Sequence, residues 1–155
     1  MIKIVPYQIT YQNGINDLMT AIALEFADSI FSKPSKETPE IPNEYWVALN
    51  DNEIIGTAAV LHIKNDFAIL KHMMLKKEYR GKGLGISKAL LETAINWCKG
   101  HHIPKIYLGT MTQFKVAQSF YIKNGFKSIS EDELPKNFLN NPLDTIFFVR
   151  HLDSL

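Results

Sequence analysis

Over Met73-Met74-Leu75-Lys76-Lys77-Glu78-Tyr79-Arg80-Gly81-Lys82-Gly83-Leu84-Gly85-Ile86-Ser87 the pattern passes from an apolar strand, through a glycine-rich turn, into an amphipathic helix. No other stretch restricts the fold as tightly. A helix start leaves its first backbone N–H groups without intrahelical partners, and these favour an anion in front of them. Gly81, Gly83 and Gly85 carry no Cβ, so a bulky phosphate group can come close to the main chain. Arg80 and Lys82 add positive charge at the same point. A ligand bearing a diphosphate is the simplest occupant.

The rest of the chain sets the context. Its 155 residues suit one domain, taken as 1–155, with enough chain to bury a core. A formal net charge of +1 gives no whole-chain reason to expect nucleic acid or an anionic membrane as partner. The basic run Lys76, Lys77, Arg80, Lys82 is interrupted by Glu78 and reads better as a phosphate site than as a nucleic-acid patch. Cys98 is the only cysteine, so no internal disulfide can form, and its helical position suits a small core residue. The N-terminus lacks a secretion-signal pattern, and no apolar run approaches the roughly 20 residues needed to span a bilayer. A cytoplasmic location is the expectation.

Ile2 to Gln8 alternates like a strand. Ile15, Leu18, Met19, Ile22, Phe26 and Ile30 recur at helical spacing, with Asn13 as the expected cap and Asp17 near the first turn. Pro34, Pro39 and Pro42 make Ser32–Asn43 a loop that could border a substrate site. Tyr45–Leu49, Glu53–Ile63 and Phe67–Leu75 then read as three consecutive antiparallel strands. After the glycine turn, Leu84, Ser87, Leu91, Ala94, Ile95 and Cys98 mark one face of a helix ending near Gly100. Lys105–Gly109 is a short strand, reached by a right-handed parallel crossover. Phe114–Asn124 is a helix with Gly125 as its left-handed cap. Phe126–Ser130 and Thr145–His151 are the last strands, on either side of a loop carrying Pro135 and Pro142. The order β-α-β-β-β-α-β-α-β-β indicates an α/β fold of the mixed α+β kind: a central, mostly antiparallel sheet of about seven strands flanked by helices.

Two segments share features with one known family. Arg80-Gly81-Lys82-Gly83-Leu84-Gly85 resembles the R/Q-x-x-G-x-G/A signature of the GCN5-related N-acetyltransferases (GNAT). Ala117-Gln118-Ser119-Phe120-Tyr121-Ile122-Lys123-Asn124-Gly125-Phe126 is similar to that family's A-x-x-F/L-Y-x-K-x-G-F segment. Either alone is weak; in this order and context they are specific. A dinucleotide-binding reading needs G-x-G-x-x-G, and Ile86 stands where its third glycine belongs. A phosphate-binding P-loop fails because no Gly-Lys-Ser/Thr triplet is present.

The resemblance implies an acetyl-CoA site where the fourth and fifth strands splay apart, with no metal. On it, the main chain of Arg80, Gly81, Lys82, Gly83, Leu84, Gly85 and Ile86 would cradle the pyrophosphate, and Ser87 could add a hydroxyl. Met73, Met74 and Leu75 would offer main-chain groups to the pantetheine amides, as an added strand would. Lys123 is a lesser candidate for a charge contact with the cofactor. Tyr121 falls on the family's general acid toward the departing sulfur; the plainer alternative is a buried aromatic beside Phe120. A phenol near pKa ~10 opposes full transfer to a thiolate near ~8.5 by ~2 kcal/mol, so hydrogen bonding to the developing charge suffices.

The base does not carry over. Some relatives place Glu early on the fourth strand, where this chain has Phe67-Ala68-Ile69-Leu70, and others on the fifth, where it has Gly109. Phe114 also replaces a common Asn. His72, Glu25, Glu44 or a water chain could serve instead, though each side chain also has an ordinary structural or solvated reading. His101-His102 lacks a third ligand at metal spacing. The implied function is acetyl transfer to a primary amine of a small molecule or protein, with Glu37, Glu40 and Glu44 mildly favouring a cationic acceptor. The alternative is a non-catalytic acyl-CoA-binding sensor or partner module. Homodimerisation is left open.

Overall fold

The computed structural model describes residues 1–26, 44–63, 66–81, 83–138 and 142–152. The Ser32–Asn43 loop with Glu37 and Glu40, the expected helical position Ile30, and Lys82 lie outside the described residues.

Seven strands form one sheet: β1 (Ile2–Pro6), β2 (Glu44–Asn50), β3 (Glu53–Ile63), β4 (Phe67–Leu75), β5 (Lys105–Thr110), β6 (Lys127–Ile129) and β7 (Ile146–His151). Their spatial order is β1-β2-β3-β4-β5-β7-β6. Every neighbouring pair is antiparallel except β4 and β5. The helices are α1 (Gln12–Ala23), α2 (Ile86–Gly100) and α3 (Lys115–Lys123). The expected mostly antiparallel sheet flanked by helices is what the chain forms.

Alternation along the strands sorts the core into two layers. Ile55 and Leu75 pack with Ile86 and Leu90 of α2. Their neighbours Ile54 and Met74 pack with Leu18 and Ile22 of α1. The two helices therefore cover opposite faces of the sheet. Leu70, Ile106, Leu108 and Phe148 join Leu91, Ala94, Ile95 and Cys98 of α2 and Tyr121 of α3 in the larger cluster. α2 and α3 thus share one face. Cys98 is fully buried there, and burial pushes its thiol up to about 12, so it behaves as a small apolar residue.

Several expected boundaries shift for local reasons. α1 begins at Gln12 after a 3-10 turn, Ile9–Tyr11, with Tyr11 rather than Asn13 at the cap position. Asp17 therefore falls beyond the first turn. α2 begins only after Gly85, whose left-handed backbone cannot be helical, so its apolar stripe starts at Ile86 and Leu90 while Leu84 is half exposed. Its other end falls at Gly100, as expected, and the left-handed residue that follows is His102 (φ +57°), with the Ile103 N–H donating back to Cys98 O at 3.0 Å. Gly125, at φ +90°, does cap α3. No helix among the described residues is long and apolar enough to cross a membrane.

Candidate active site

The parallel ladder between β4 and β5 comprises Ala68↔Ile106 and Ile69↔Tyr107. Past it, β4 continues to Leu75 on the β3 side, while β5 continues to Thr110 on the β7 side. Two strands that lose their ladder diverge, and the wedge between them exposes main-chain donors and acceptors that no strand satisfies.

A bulge in β4 shapes one wall. Thr57 pairs with Met74 but Ala59 pairs with Lys71, so His72 and Met73 together oppose Ala58. His72 adopts φ +51°, and Thr57 Oγ1 donates to its carbonyl at 2.5 Å. A bulge bends its strand and breaks the alternation of faces. Leu70 and Met73 both pack in the α2 layer, which leaves Lys71 and His72 together on the α1 face. The His72 ring stacks on Tyr45 at 5.4 Å, and Tyr45 stacks on Tyr7 at 5.1 Å. Burial first, then Tyr7, pushes the Tyr45 phenol up to about 12 despite its hydrogen bond with Thr57, so it stays protonated. Met73 and Leu75 turn their side chains into the α2 layer and Met74 into the α1 layer. These three residues can face the wedge through their main chain.

At the end of β4 lies the glycine turn. Gly81, Gly83 and Gly85 have φ of +70°, +68° and +69°, and a Cβ placed on any of them would meet nothing within 4 Å. The main chain is open to close approach by a large group. Gly85 is the cap residue of α2 and receives no side-chain cap bond. The first N–H groups of α2, with Ser87 half-buried among them, therefore point toward this turn without intrahelical partners. Arg80 differs from expectation. Its Nε donates to Leu75 O at 2.7 Å, and its two terminal nitrogens meet Glu25 Oε1 and Oε2 at 2.5 and 2.8 Å. The guanidinium braces the turn, and Glu25 is not the freely solvated carboxylate expected of it. Lys76 is likewise engaged, with Glu53 at 2.5 Å.

On the face that it shares with α2, α3 brings an aromatic side chain to the site. Tyr121 is buried, its ring 5.7 Å from Phe120, 5.6 Å from Phe126 and 6.0 Å from Phe148. Burial, and then the Asp144 carboxylate, hold its phenol far above the ordinary range, so the hydroxyl keeps its proton. Lys123 is exposed in the last turn of α3.

Asp144 was not anticipated. A Cβ placed on Gly109 would fall 2.7 Å from Asp144 Oδ2 and 3.0 Å from its Cβ. The carboxylate thus lies where a β5 side chain would stand. Burial pushes its carboxyl up to about 6, against the opposing pull of Lys71. Its only sequence signal is an acid just before the last strand; the ladder itself pairs Gly109, near the end of β5, with Phe147. Among the described residues, no group of three or more His, Cys, Asp or Glu could hold a metal ion.

Residues 42–128 match the family model described as an acetyltransferase (GNAT) domain. The chain belongs to the GNAT acetyltransferase family. Over 108 residues it is 30% identical to N-acetylaspartate synthetase of Danio rerio, a match covering 67% of this chain and 37% of that protein. The chain thus spans well under half the length of that relative. Among solved structures, a GNAT-family acetyltransferase from Staphylococcus aureus Mu50 superimposes with a TM-score of 0.82 at 28% identity, covering 99% of this chain and 100% of the other. N-acetylglutamate synthase from Neisseria gonorrhoeae, solved with coenzyme A and N-acetyl-glutamate, shares the fold at 19% identity and a TM-score of 0.78. That match covers 99% of this chain and 35% of the synthase. The GNAT fold accounts for the sheet order and the opening between β4 and β5.

Proposed function

We propose that this GNAT chain is an acetyl-CoA-dependent N-acetyltransferase acting on a primary amine of a small molecule or protein. One observation carries the reading. The wedge between β4 and β5 ends at three left-handed glycines whose open main chain leads into the start of α2. A strand edge suits the amides of pantetheine, and amides at a helix start suit a diphosphate. Coenzyme A bound to the same fold in the N. gonorrhoeae synthase supports the choice of ligand.

In this reading the main chain of Arg80, Gly81, Gly83, Leu84, Gly85 and Ile86 holds the diphosphate, with Lys82 and the Ser87 hydroxyl contributing beside it. Main-chain groups of Met73, Met74 and Leu75 hold the pantetheine arm, and an N–H near Met74 or Leu75 polarises the acetyl carbonyl. Lys123 stays a lesser charge contact. The bound thioester supplies an activated acetyl carbon. Tyr121 keeps its proton at Oη and donates a hydrogen bond where negative charge develops on the leaving sulfur. The absence of the family's glutamates from β4 and β5 would favour the sensor alternative, and the carboxylate standing over Gly109 weakens it.

Calorimetry with coenzyme A, followed by thiol release from acetyl-CoA with a panel of spermidine, kanamycin, L-aspartate and a peptide N-terminus, tests the proposal. Saturable binding and amine-stimulated release are expected. Binding without stimulation by any amine would favour the sensor.

A further inference from the structure

We propose that Asp144 is the proton acceptor for the incoming amine, supplying from the loop before β7 the carboxylate that β5 lacks at Gly109. The inference rests on the acetyltransferase reading above and assigns a residue to a step that reading leaves open.

Position comes first. Tyr107 packs with Phe67, Ile69 and Val149, on the face opposite the cluster that holds Leu108. Gly109 shares the Tyr107 face by alternation, so the carboxylate above it stands on the α1 side of the sheet, while Tyr121 comes from the α3 side. An acid and a base for acyl transfer belong on opposite sides of the reacting carbon, and the wedge separates these two in that sense.

The carboxylate is held rather than loose. The Thr145 N–H donates to Thr110 O at 3.0 Å, and Thr110 then pairs with Ile146. Leu143, on the other side, packs with Leu18, Ile22 and Met111. Asp144 is therefore fixed between an anchored neighbour and a packed one. The absent side chain at Gly109 is what lets it approach.

Among the described residues, Lys71, on the α1 face of β4, favours the ionised form of Asp144, and from α3 the neutral Tyr121 phenol interacts with it. Burial outweighs Lys71, and a carboxyl raised from 3.8 to about 6 is roughly a hundredfold stronger as a base while still mostly ionised at neutral pH. The rival carboxylate Glu25 is engaged with Arg80, and the His72 ring is stacked on Tyr45.

The step is one proton transfer. An N–H bond of the acceptor's ammonium breaks, and its electron pair stays on nitrogen as the lone pair that attacks the acetyl carbon. The new O–H bond leaves Asp144 neutral until it returns the proton to solvent.

Asp144→Asn keeps the shape and removes the base. Ethylamine, which enters protonated, and hydrazine, largely neutral near pH 8–9, serve as acceptor probes, with coenzyme A calorimetry and NMR titration of the aspartate carboxyls as readouts besides turnover. The variant should lose roughly 100-fold with ethylamine and only a few-fold with hydrazine, with unchanged coenzyme A affinity. Asp144→Ala combined with Gly109→Glu, which returns a carboxylate from β5 into the vacated space, should recover most of the ethylamine rate. Equal losses with both amines, no loss with either, or an Asp144 carboxyl titrating in the ordinary range would overturn the assignment. A wild type that binds coenzyme A but acetylates neither amine would overturn it while sparing the cofactor site. Absence of coenzyme A binding would instead remove the reading beneath it.

Discussion

Glu25 and Arg80 meet fork to fork, Oε1 2.5 Å from Nη1 and Oε2 2.8 Å from Nη2. This two-pronged bond ties the chain just past α1 to the turn that precedes α2, and Arg80 Nε closes the brace on Leu75 O at 2.7 Å. Paired bonds of this kind need the planar guanidinium, which an ammonium cannot reproduce. Arg80→Lys should therefore weaken coenzyme A binding nearly as much as Arg80→Ala, measured by calorimetry. A role as a simple positive charge would instead have lysine preserve most of the affinity. Glu25→Gln should cost about 1 kcal/mol of stability, since both groups are partly solvated.

The left-handed glycines offer a cleaner test, because their conformation and their surroundings can be separated. An alanine at Gly83 would clash with nothing within 4 Å, so its cost is backbone strain alone, about 1 kcal/mol in denaturant unfolding. The added methyl would nonetheless stand on the open side of the turn. Coenzyme A affinity should fall by clearly more than the lost stability explains. Equal affinity would mean that the main chain there touches no ligand.

Tyr121 combines packing with a proton. Tyr121→Phe keeps the contacts with Phe120, Phe126 and Phe148 and removes the hydroxyl. Turnover should fall about 100-fold with cofactor affinity intact. Unchanged turnover would leave Tyr121 as a packing residue.

Asp144 carries a pH signature. Its carboxyl is raised from 3.8 to about 6 in the folded chain, so across that window the native state binds more protons than the unfolded one. Stability from this group is present below the unfolded value and is lost as pH rises through about 6. After allowance for its partial solvent exposure the loss is about 1–2 kcal/mol. Asp144→Asn should be more stable than wild type at neutral pH and should flatten that part of the stability profile in urea titrations. A less stable variant would mean that the carboxylate is a structural bond acceptor instead.

How much of this was legible in the sequence depends on the range of the interaction. The glycine turn, the α2 stripe from Leu91 to Cys98 and the Gly125 cap follow from local chemistry, and reading them needed only neighbouring residues. The β4 bulge did not show, because nothing near His72 announces a left-handed backbone; it arises from how β3 and β4 fall into register around Thr57. Arg80 looked like a free cation until the chain past α1 brought Glu25 to it. Asp144 was hidden for the same reason. It is 35 positions from Gly109 in sequence, and only the pairing of β5 with β7 makes them neighbours.

The central claim is that the wedge between β4 and β5 and the glycine turn together hold coenzyme A. Isothermal titration of the full chain with coenzyme A, repeated with Gly83→Ala, tests it most directly. One saturable site per chain is expected, weakened at least tenfold in the variant. No heat of binding at about millimolar ligand, or identical isotherms for the two proteins, would contradict it.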